Sequence, residues 1–360
     1  MQNTGRDAQR ARPPLSAGGT TMTAIVQNRY GSAPEDLFRL AEIDRPVIGD
    51  GTLLVRVHAA SVDRGTWHIM SGLPYPIRLA GFGLRRPKYG NPGRSLAGTV
   101  EAVGAGVTGF APGDEVFGMS TSTFAEYAVA RTDKLAPKPR NLSFDQAAAV
   151  PVSGLTALQA VRDHGRIQAG EKVLIIGASG GVGSFAVQIA KAFGAEVTGV
   201  CGTAKVDLVR SLGADAVLDY SRTDFADGGP RYDVILDMGG NARLSRLRRA
   251  LTPRGRLIIV GGETDGRLLG GSSRQIRAQL LSPFIGQKLC TFVASENATD
   301  LIALRDLIEA GAITPAIEGT YPLAQAPAAI RHLMNGQARG KLVISVSPRS
   351  DRSPDPGSSP

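Results

Sequence analysis

Between Lys172 and Gly194 the chain reads KVLIIGASGGVGSFAVQIAKAFG, an order of residues that few architectures accept. Val173 to Ile176 form an unbroken apolar run suited to a short buried strand, and the glycines of GASGGVG then turn the chain. Beyond the turn, Val182, Phe185, Ala186, Ile189, Ala190 and Phe193 recur at helical spacing, which predicts a helix with one apolar face. Glycine at such a turn lets the backbone approach a pyrophosphate, whose charge the free N–H groups and positive dipole end of the helix then hold. The stretch therefore predicts a dinucleotide site in the run Ala178-Ser179-Gly180-Gly181-Val182-Gly183, with alanine at the first glycine position. A tight strand-to-helix turn without a ligand is what the motif alone leaves open.

A second strand, Glu196 to Cys201, and a helix from about Ala204 to Leu212 continue the unit. NAD sites usually carry Asp or Glu at the end of this second strand to bind the ribose hydroxyls. Here the stretch is Cys201-Gly202-Thr203-Ala204-Lys205, with no carboxylate to repel a 2′-phosphate. NADP is therefore the expected cofactor, with Lys205 pairing its extra phosphate and the Thr203 hydroxyl in reach. A solvated lysine in the first turn of a helix is the other reading of Lys205.

The 360 residues suffice for two domains with full cores. The net charge of +9 is spread out: Arg243, Arg246 and Arg249 share a helical face, and Arg85-Arg86-Pro87-Lys88 is a short cluster. Without interleaved aromatics or a recognisable binding module, both read as solvated faces and not as a nucleic-acid surface. Cys201 and Cys290 lie far apart and neither has a C-x-x-C partner, which argues against a disulfide scaffold or a cysteine-built zinc site. No apolar run is long enough to span a membrane and the start lacks a hydrophobic signal core, so a cytoplasmic protein is expected. Residues 1–20 and 348–360 are expected to be disordered tails, the first of them a tail, a leader or an early start codon.

Strand-like stretches at Met22 to Asn28, Leu53 to Ala60, Ser95 to Val107, Ala111 to Met119, Phe124 to Val129 and Lys134 to Ala136 make the first part β-rich. Pro112-Gly113 suits a type II turn, and His58 reads as a polar-face residue. Between them VDRGTWHIMSGLPYP brings Asp63, Thr66, Trp67, His68 and Tyr75 close together, to pave a pocket or to anchor a short helix through Trp67 and Met70. Ser143 to His164 reads as helix. Past Lys205, strands at Ala216 to Asp219, Asp233 to Asp237, Leu257 to Val260 and Leu289 to Ala294 are expected, with a helix at Asn241 to Ala250 and a turn at Thr252-Pro253-Arg254-Gly255. Helices at Asp300 to Ala310 and Gln325 to Asn335 and a strand at Lys341 to Val346 follow. Alternating strands and helices predict a doubly wound parallel sheet with ligand at its carboxyl ends.

This order, with the glycine turn at its centre, resembles the medium-chain dehydrogenase/reductase family over about Met22 to Val346. The resemblance is carried by AVPVSGLTALQA, the glycine turn, VCGTAKVDLVRSLGADAVLDY, LLSPFIGQKL and ARGKLVISV, and is greatest to the zinc-independent quinone oxidoreductase and NAD(P)-dependent alcohol dehydrogenase-like branch. It implies an α/β fold: a GroES-like β-rich catalytic domain from 22–145 and 295–347, and a doubly wound parallel Rossmann domain from 146–294. No metal is implied, because the cysteine ligand is absent from Ser61 to Thr66 and the histidine ligand is replaced in Gly93-Arg94-Ser95.

The resemblance also implies roles. Ser179, Gly180, Gly181, Val182 and Gly183 would cradle the pyrophosphate, and Gly202, Thr203, Lys205 and Tyr220 would surround the adenosine end. Asp237, with the backbone near Gly261 and Phe292, would border the nicotinamide ribose, and Lys341 would close over the cofactor. The implied reaction is hydride transfer from NADPH to a quinone or to the β-carbon of an enone. Developing charge on the acceptor oxygen needs hydrogen-bond donors, for which Thr66, His68 and Tyr75 are candidates, with Asp63 orienting a donor or water. A zinc-free alcohol or aldehyde dehydrogenase and a non-catalytic NADPH sensor are the competing expectations. A homodimer through the exposed edge of the parallel sheet is a further one.

Overall fold

The computed structural model describes residues 20–261 and 272–346. The two expected tails lie outside the described residues but for Thr20. The first lobe carries β1 (Thr21–Val26), β2 (Arg39–Asp44), β3 (Thr52–Val62), β4 (Ser95–Val103), β5 (Glu115–Met119), β6 (Tyr127–Arg131) and β7 (Leu135–Pro137). The second carries β8 (Lys172–Ile176), β9 (Glu196–Cys201), β10 (Ala216–Asp219), β11 (Tyr232–Asp237), β12 (Leu251–Ile259) and β13 (Lys288–Thr291). The chain then returns to the first lobe through β14 (Ile317–Pro322) and β15 (Lys341–Ser345).

β8 to β13 form a parallel sheet in the order β10-β9-β8-β11-β12-β13, with Ile175 of β8 level with Gly199 of β9 and Leu236 of β11. The order reverses between β8 and β11, so their carboxyl ends form the switch point where such sheets bind ligands. The other large sheet runs β14-β15-β3-β4-β5-β7, with β6 also on β3, while β1 pairs with β2 and bridges the segment before β6 through Ala24 and Ala125. β15 lies antiparallel on β3, with Val343 opposite Ser61, which brings the end of the chain back to the inner edge of the first lobe. One apolar cluster joins Ala59, Ala97 and Phe117 of the first lobe to Leu158, Ala186 and Ile189 of the second, so the lobes share a core.

Some expected elements change. The helix after the glycine turn, Gly181–Ala192, is buried continuously from Gly183 to Ala190 and not along one stripe. Its polar residues are satisfied locally: Gln188 donates to Thr314 O and accepts from Thr314 N. The helical stretch at Ser143 to His164 divides into Phe144–Ala148 and Pro151–Gln159, followed by a wider turn at Ala160–His164, because Pro151 cannot continue a hydrogen-bonded helix. Thr252 to Gly255 fall within β12 as a bulge, since Tyr232 pairs with Leu251 but Val234 pairs with Arg256. The turn at Pro112-Gly113 forms as expected, with Gly113 at φ +97° and Asp114 N donating to Ala111 O at 3.1 Å.

Candidate active site

The glycine turn follows the carboxyl end of β8, at the switch point of the sheet. Gly177 takes φ +81°, which relieves Ala178 of that conformation and explains how alanine occupies the first glycine position of the motif. Gly177 N and Ala178 N both donate to Val200 O on β9, and Gly180 N closes the turn on Gly177 O at 3.1 Å. A Cβ on Gly183 would fall 2.1 Å from Gly177 O, so only glycine lets the helix seat this closely on its strand. A Cβ on Gly180 would meet nothing nearer than Gly177 O at 3.4 Å, which leaves its outer side open for a phosphate. Ser179 O accepts from Gly340 N at 2.8 Å, so the chain returning to the first lobe holds the turn. Val182 opens the helix half-buried.

At the end of β9 the structure corrects the expectation of a carboxylate-free adenosine end. Asp219, at the end of the neighbouring β10, accepts from Thr203 Oγ1 at 2.6 Å and from Ser221 N and Oγ. Those hydrogen bonds, Thr203's first, hold its carboxyl below the usual range, with Arg222 adding to the effect. Lys205 is also committed: its ammonium donates to Gly336 O at 3.0 Å and Ala338 O at 2.9 Å. Burial pushes the Lys205 pKa down. Tyr220 is 69% exposed, and a Cβ on Gly202 would meet its hydroxyl at 3.1 Å, so the ring stands free beside that glycine.

Asp237 is buried within the sheet end and does not face outward. Its Oδ1 accepts from Gly240 N at 3.0 Å and its Oδ2 accepts from Arg274, so both oxygens are used internally, which argues against the expected ribose contact. Its carboxyl is pushed up by burial, against the pull of Arg274 and the Gly240 and Gly239 amides. Gly261 N donates to Asp237 O, and a Cβ on Gly261 would lie 2.2 Å from Met238 O. Phe292 stacks on His164 with ring centroids 4.1 Å apart.

In the first lobe, VDRGTWHIMSGLPYP resolves into the helix Arg64–Ser71. Asp63 caps it: Oδ1 accepts from Thr66 N at 2.9 Å and from the Thr66 hydroxyl at 3.3 Å. Thr66 is buried by that arrangement, which turns its hydroxyl toward the cap and not into a pocket. Asp63 Oδ2 is buried without a hydrogen bond among the described residues. Lys341 is the nearby cation: its ammonium donates to Val62 O at 3.0 Å, and its Cδ lies 3.1 Å from where a Gly181 Cβ would stand. Lys341 is therefore buried beside the glycine turn. Burial lowers its pKa, and the Asp63 charge partly offsets this. His68 Nδ1 lies 2.7 Å from Leu73 O, an oxygen that only accepts, so Nδ1 carries the proton. The Tyr75 side chain is 40% exposed, with Arg78 over its ring.

Residues 49–140 match the family described as alcohol dehydrogenase GroES-like domain, and residues 212–344 the family described as zinc-binding dehydrogenase. A bovine mitochondrial NAD(P)H oxidoreductase, RTN4IP1, is 32% identical over 92% of this chain and 91% of its own length. The human quinone oxidoreductase is 32% identical over 92% of this chain and 99% of its own. The chain belongs to the medium-chain dehydrogenase/reductase family. Among solved structures, the quinone oxidoreductase of Coxiella burnetii superposes with a TM-score of 0.78 at 27% identity, over 91% of this chain and all (100%) of that one.

As a quinone oxidoreductase-like member of this family, the protein is an oxidoreductase that uses a nicotinamide cofactor on a small-molecule substrate. The GroES-like and Rossmann folds implied by resemblance are those observed. The residues at the glycine turn fit a dinucleotide, because a twelve-residue helix begins there behind an N-cap, Gly180, whose Cβ side meets nothing nearer than 3.4 Å. No group of three or more metal-ligating side chains occurs among the described residues. Nor is any helix among them long and apolar enough to cross a membrane.

Two sets of ion pairs in this family member are not legible in the sequence. Arg274, in the helix Ser272–Leu281, reaches Asp237, and nothing in a polar helix advertises that contact. Glu296 bonds Arg94 and Lys134, the latter at 2.6 Å, tying the segment after β13 to the first lobe. Arg94 had stood out in the sequence only as the residue occupying the metal-ligand histidine's place.

Proposed function

We propose that this protein is a metal-independent NADPH reductase that delivers hydride to a quinone or to the β-carbon of an α,β-unsaturated carbonyl. The observation that carries the reading is the turn from Gly177 to Gly183, open at Gly180 and bonded through Ser179 to the returning chain. The bound nicotinamide supplies the hydride, and the protein supplies placement. Preference for NADPH rests on the basic groups around Thr203, namely Lys205 and Arg222, of which Arg222 lies 3.7 Å from the Asp219 carboxylate and offsets its charge. Tyr220 would flank the adenine. Tyr75 would donate to the acceptor oxygen, because the Thr66 hydroxyl is engaged by Asp63 and His68 spends its N–H on Leu73.

Metal independence is supported by the residues themselves: Ser61 to Thr66 contain no cysteine and Arg94 stands between Gly93 and Ser95. We assign 22–145 with 295–347 to the substrate side and 146–294 to the cofactor side. We also propose a homodimer through β13, one of the two edge strands of the parallel sheet, beside which Phe284 and Val293 are 84% and 96% exposed. Light scattering of the purified chain reads that state.

The deciding experiment is NADPH oxidation against quinones, enones and aldehydes, with and without a chelator. Turnover of a quinone or an enone that survives chelation is expected. Activity confined to alcohols with NADP, or abolished by the chelator, overturns the reading.

A further inference from the structure

A single guanidinium fastens the two loops that lie beside the glycine turn at the carboxyl end of the sheet. Arg274 Nη1 donates to Asp237 Oδ2 and, at 2.8 Å, to Ala242 O, while Nη2 donates to Gly261 O at 3.1 Å. Asp237 in turn holds Gly240 N through its other oxygen, and its carbonyl accepts from Val260 N and Gly261 N. The loop after β11 and the end of β12 are thus tied to each other and to the helix Ser272–Leu281 through one buried ion pair. These loops also touch the glycine turn: Met238 N and Gly239 N donate to Ile176 O, and a Cβ on Gly177 would come within 3.1 Å of Gly239 N. A shift of the Gly239 backbone would therefore be felt at the turn itself.

We propose that Arg274 is a positioning residue for the hydride-transfer step: it sets the Gly239–Ala242 loop and Gly261 as the surface against which the nicotinamide half of the cofactor rests. This deepens the function proposed above and depends on the dinucleotide lying at the glycine turn. Three directed donors explain the choice of side chain. The planar fork reaches a carboxylate and two carbonyls at once, whereas a lysine ammonium is a single point that can hold the charge of Asp237 but not all three acceptors. The adenosine end is held by other elements, at Gly202, Thr203 and Tyr220, and gains nothing from Arg274.

The test compares Arg274→Ala and Arg274→Lys in the full chain, using NADPH and adenosine 2′,5′-bisphosphate as two separate probes. With Arg274→Ala, KM for NADPH is expected to rise about tenfold and kcat to fall about a hundredfold, the scale of a misplaced reacting atom. Binding of the bisphosphate should stay within about twofold of the parent, and added ethylguanidinium should restore part of kcat. Arg274→Lys should keep the fold and lose about tenfold in kcat. If the alanine variant does not fold, the lysine variant decides. Parent-like KM and kcat in the folded variants overturn the proposal, as does equal weakening of both probes, which marks a merely structural arginine. A parent chain that binds neither probe would instead remove the dinucleotide reading on which the proposal rests.

Discussion

Gly340 donates its backbone N–H to Ser179 O at 2.8 Å, so the residue just before β15 and the glycine turn after β8 share a hydrogen bond. Gly340 is held at φ +88°, and a Cβ there would fall 2.3 Å from Ala316 O. Gly340→Ala is therefore expected to cost about 1–3 kcal/mol of stability through strain and overlap. Because the displaced segment carries Ser179 with it, NADPH affinity should drop about tenfold. Thermal unfolding and fluorescence titration measure the two effects; an unchanged affinity in a destabilised variant would separate the bond from the site.

Lys341 makes stability depend on alkaline pH. Burial places its folded pKa below the ordinary 10.5, although Asp63 opposes the shift. Between those two values the unfolded chain holds a proton that the folded chain has released, so stability rises with pH across that window. Lys341→Met should lack this rise and, by leaving the Val62 carbonyl without its donor, cost about 1–3 kcal/mol near neutrality. Urea midpoints of parent and variant from neutral pH to about 10 read the difference. Parallel curves would show that Lys341 does not titrate in the folded state.

Lys205 serves two readings that NADH can tell apart. If its role were confined to a 2′-phosphate, Lys205→Met would weaken NADPH alone. Its ammonium instead grips Gly336 O and Ala338 O, just ahead of the Gly340 bond to Ser179. We expect about a tenfold loss for NADPH and about a threefold loss for NADH, measured as dissociation constants. Strictly unchanged NADH binding would assign the lysine to the phosphate.

Tyr75 and His68 differ in what they can donate. The His68 Nδ1–H is already donated to Leu73 O and is not free for an acceptor oxygen, whereas the Tyr75 hydroxyl can donate. Tyr75→Phe should reduce kcat/KM about a hundredfold while leaving the KM for NADPH alone, the scale of one lost oxyanion donor. His68→Ala should act mainly through the Gly72 to Pro76 segment, with kcat/KM within about threefold of the parent in the folded protein. A larger loss in His68→Ala than in Tyr75→Phe would reverse the assignment.

Much of the fold could be read from local chemistry. The bounds of β9 and β10 coincide with those read from apolar runs, and the Pro112-Gly113 turn closes where its residue types require. Such features depend on neighbours a few positions apart, which spacing records directly. The helix Gly181–Ala192 is legible as a helix but not as one buried continuously from Gly183 to Ala190, because its polar Ser184 and Gln188 are satisfied by its own turn and by Thr314.

By itself, the sequence determined the strand, glycine turn and helix from Lys172 to Ala192, the family, and the lack of cysteine in Ser61 to Thr66 and of histidine in Gly93-Arg94-Ser95. Only the tertiary structure decided which charges meet: Asp219 with Thr203, Lys205 with the Gly336 and Ala338 carbonyls, Asp63 near Lys341, and Asp237 with Arg274. Periodicity reports which face of an element is apolar, whereas the partner of a charged side chain depends on where distant loops come to rest once the sheets have closed. A polar residue in a loop or helix looks the same in sequence whether it meets water or a buried carboxylate, and packing alone makes the difference.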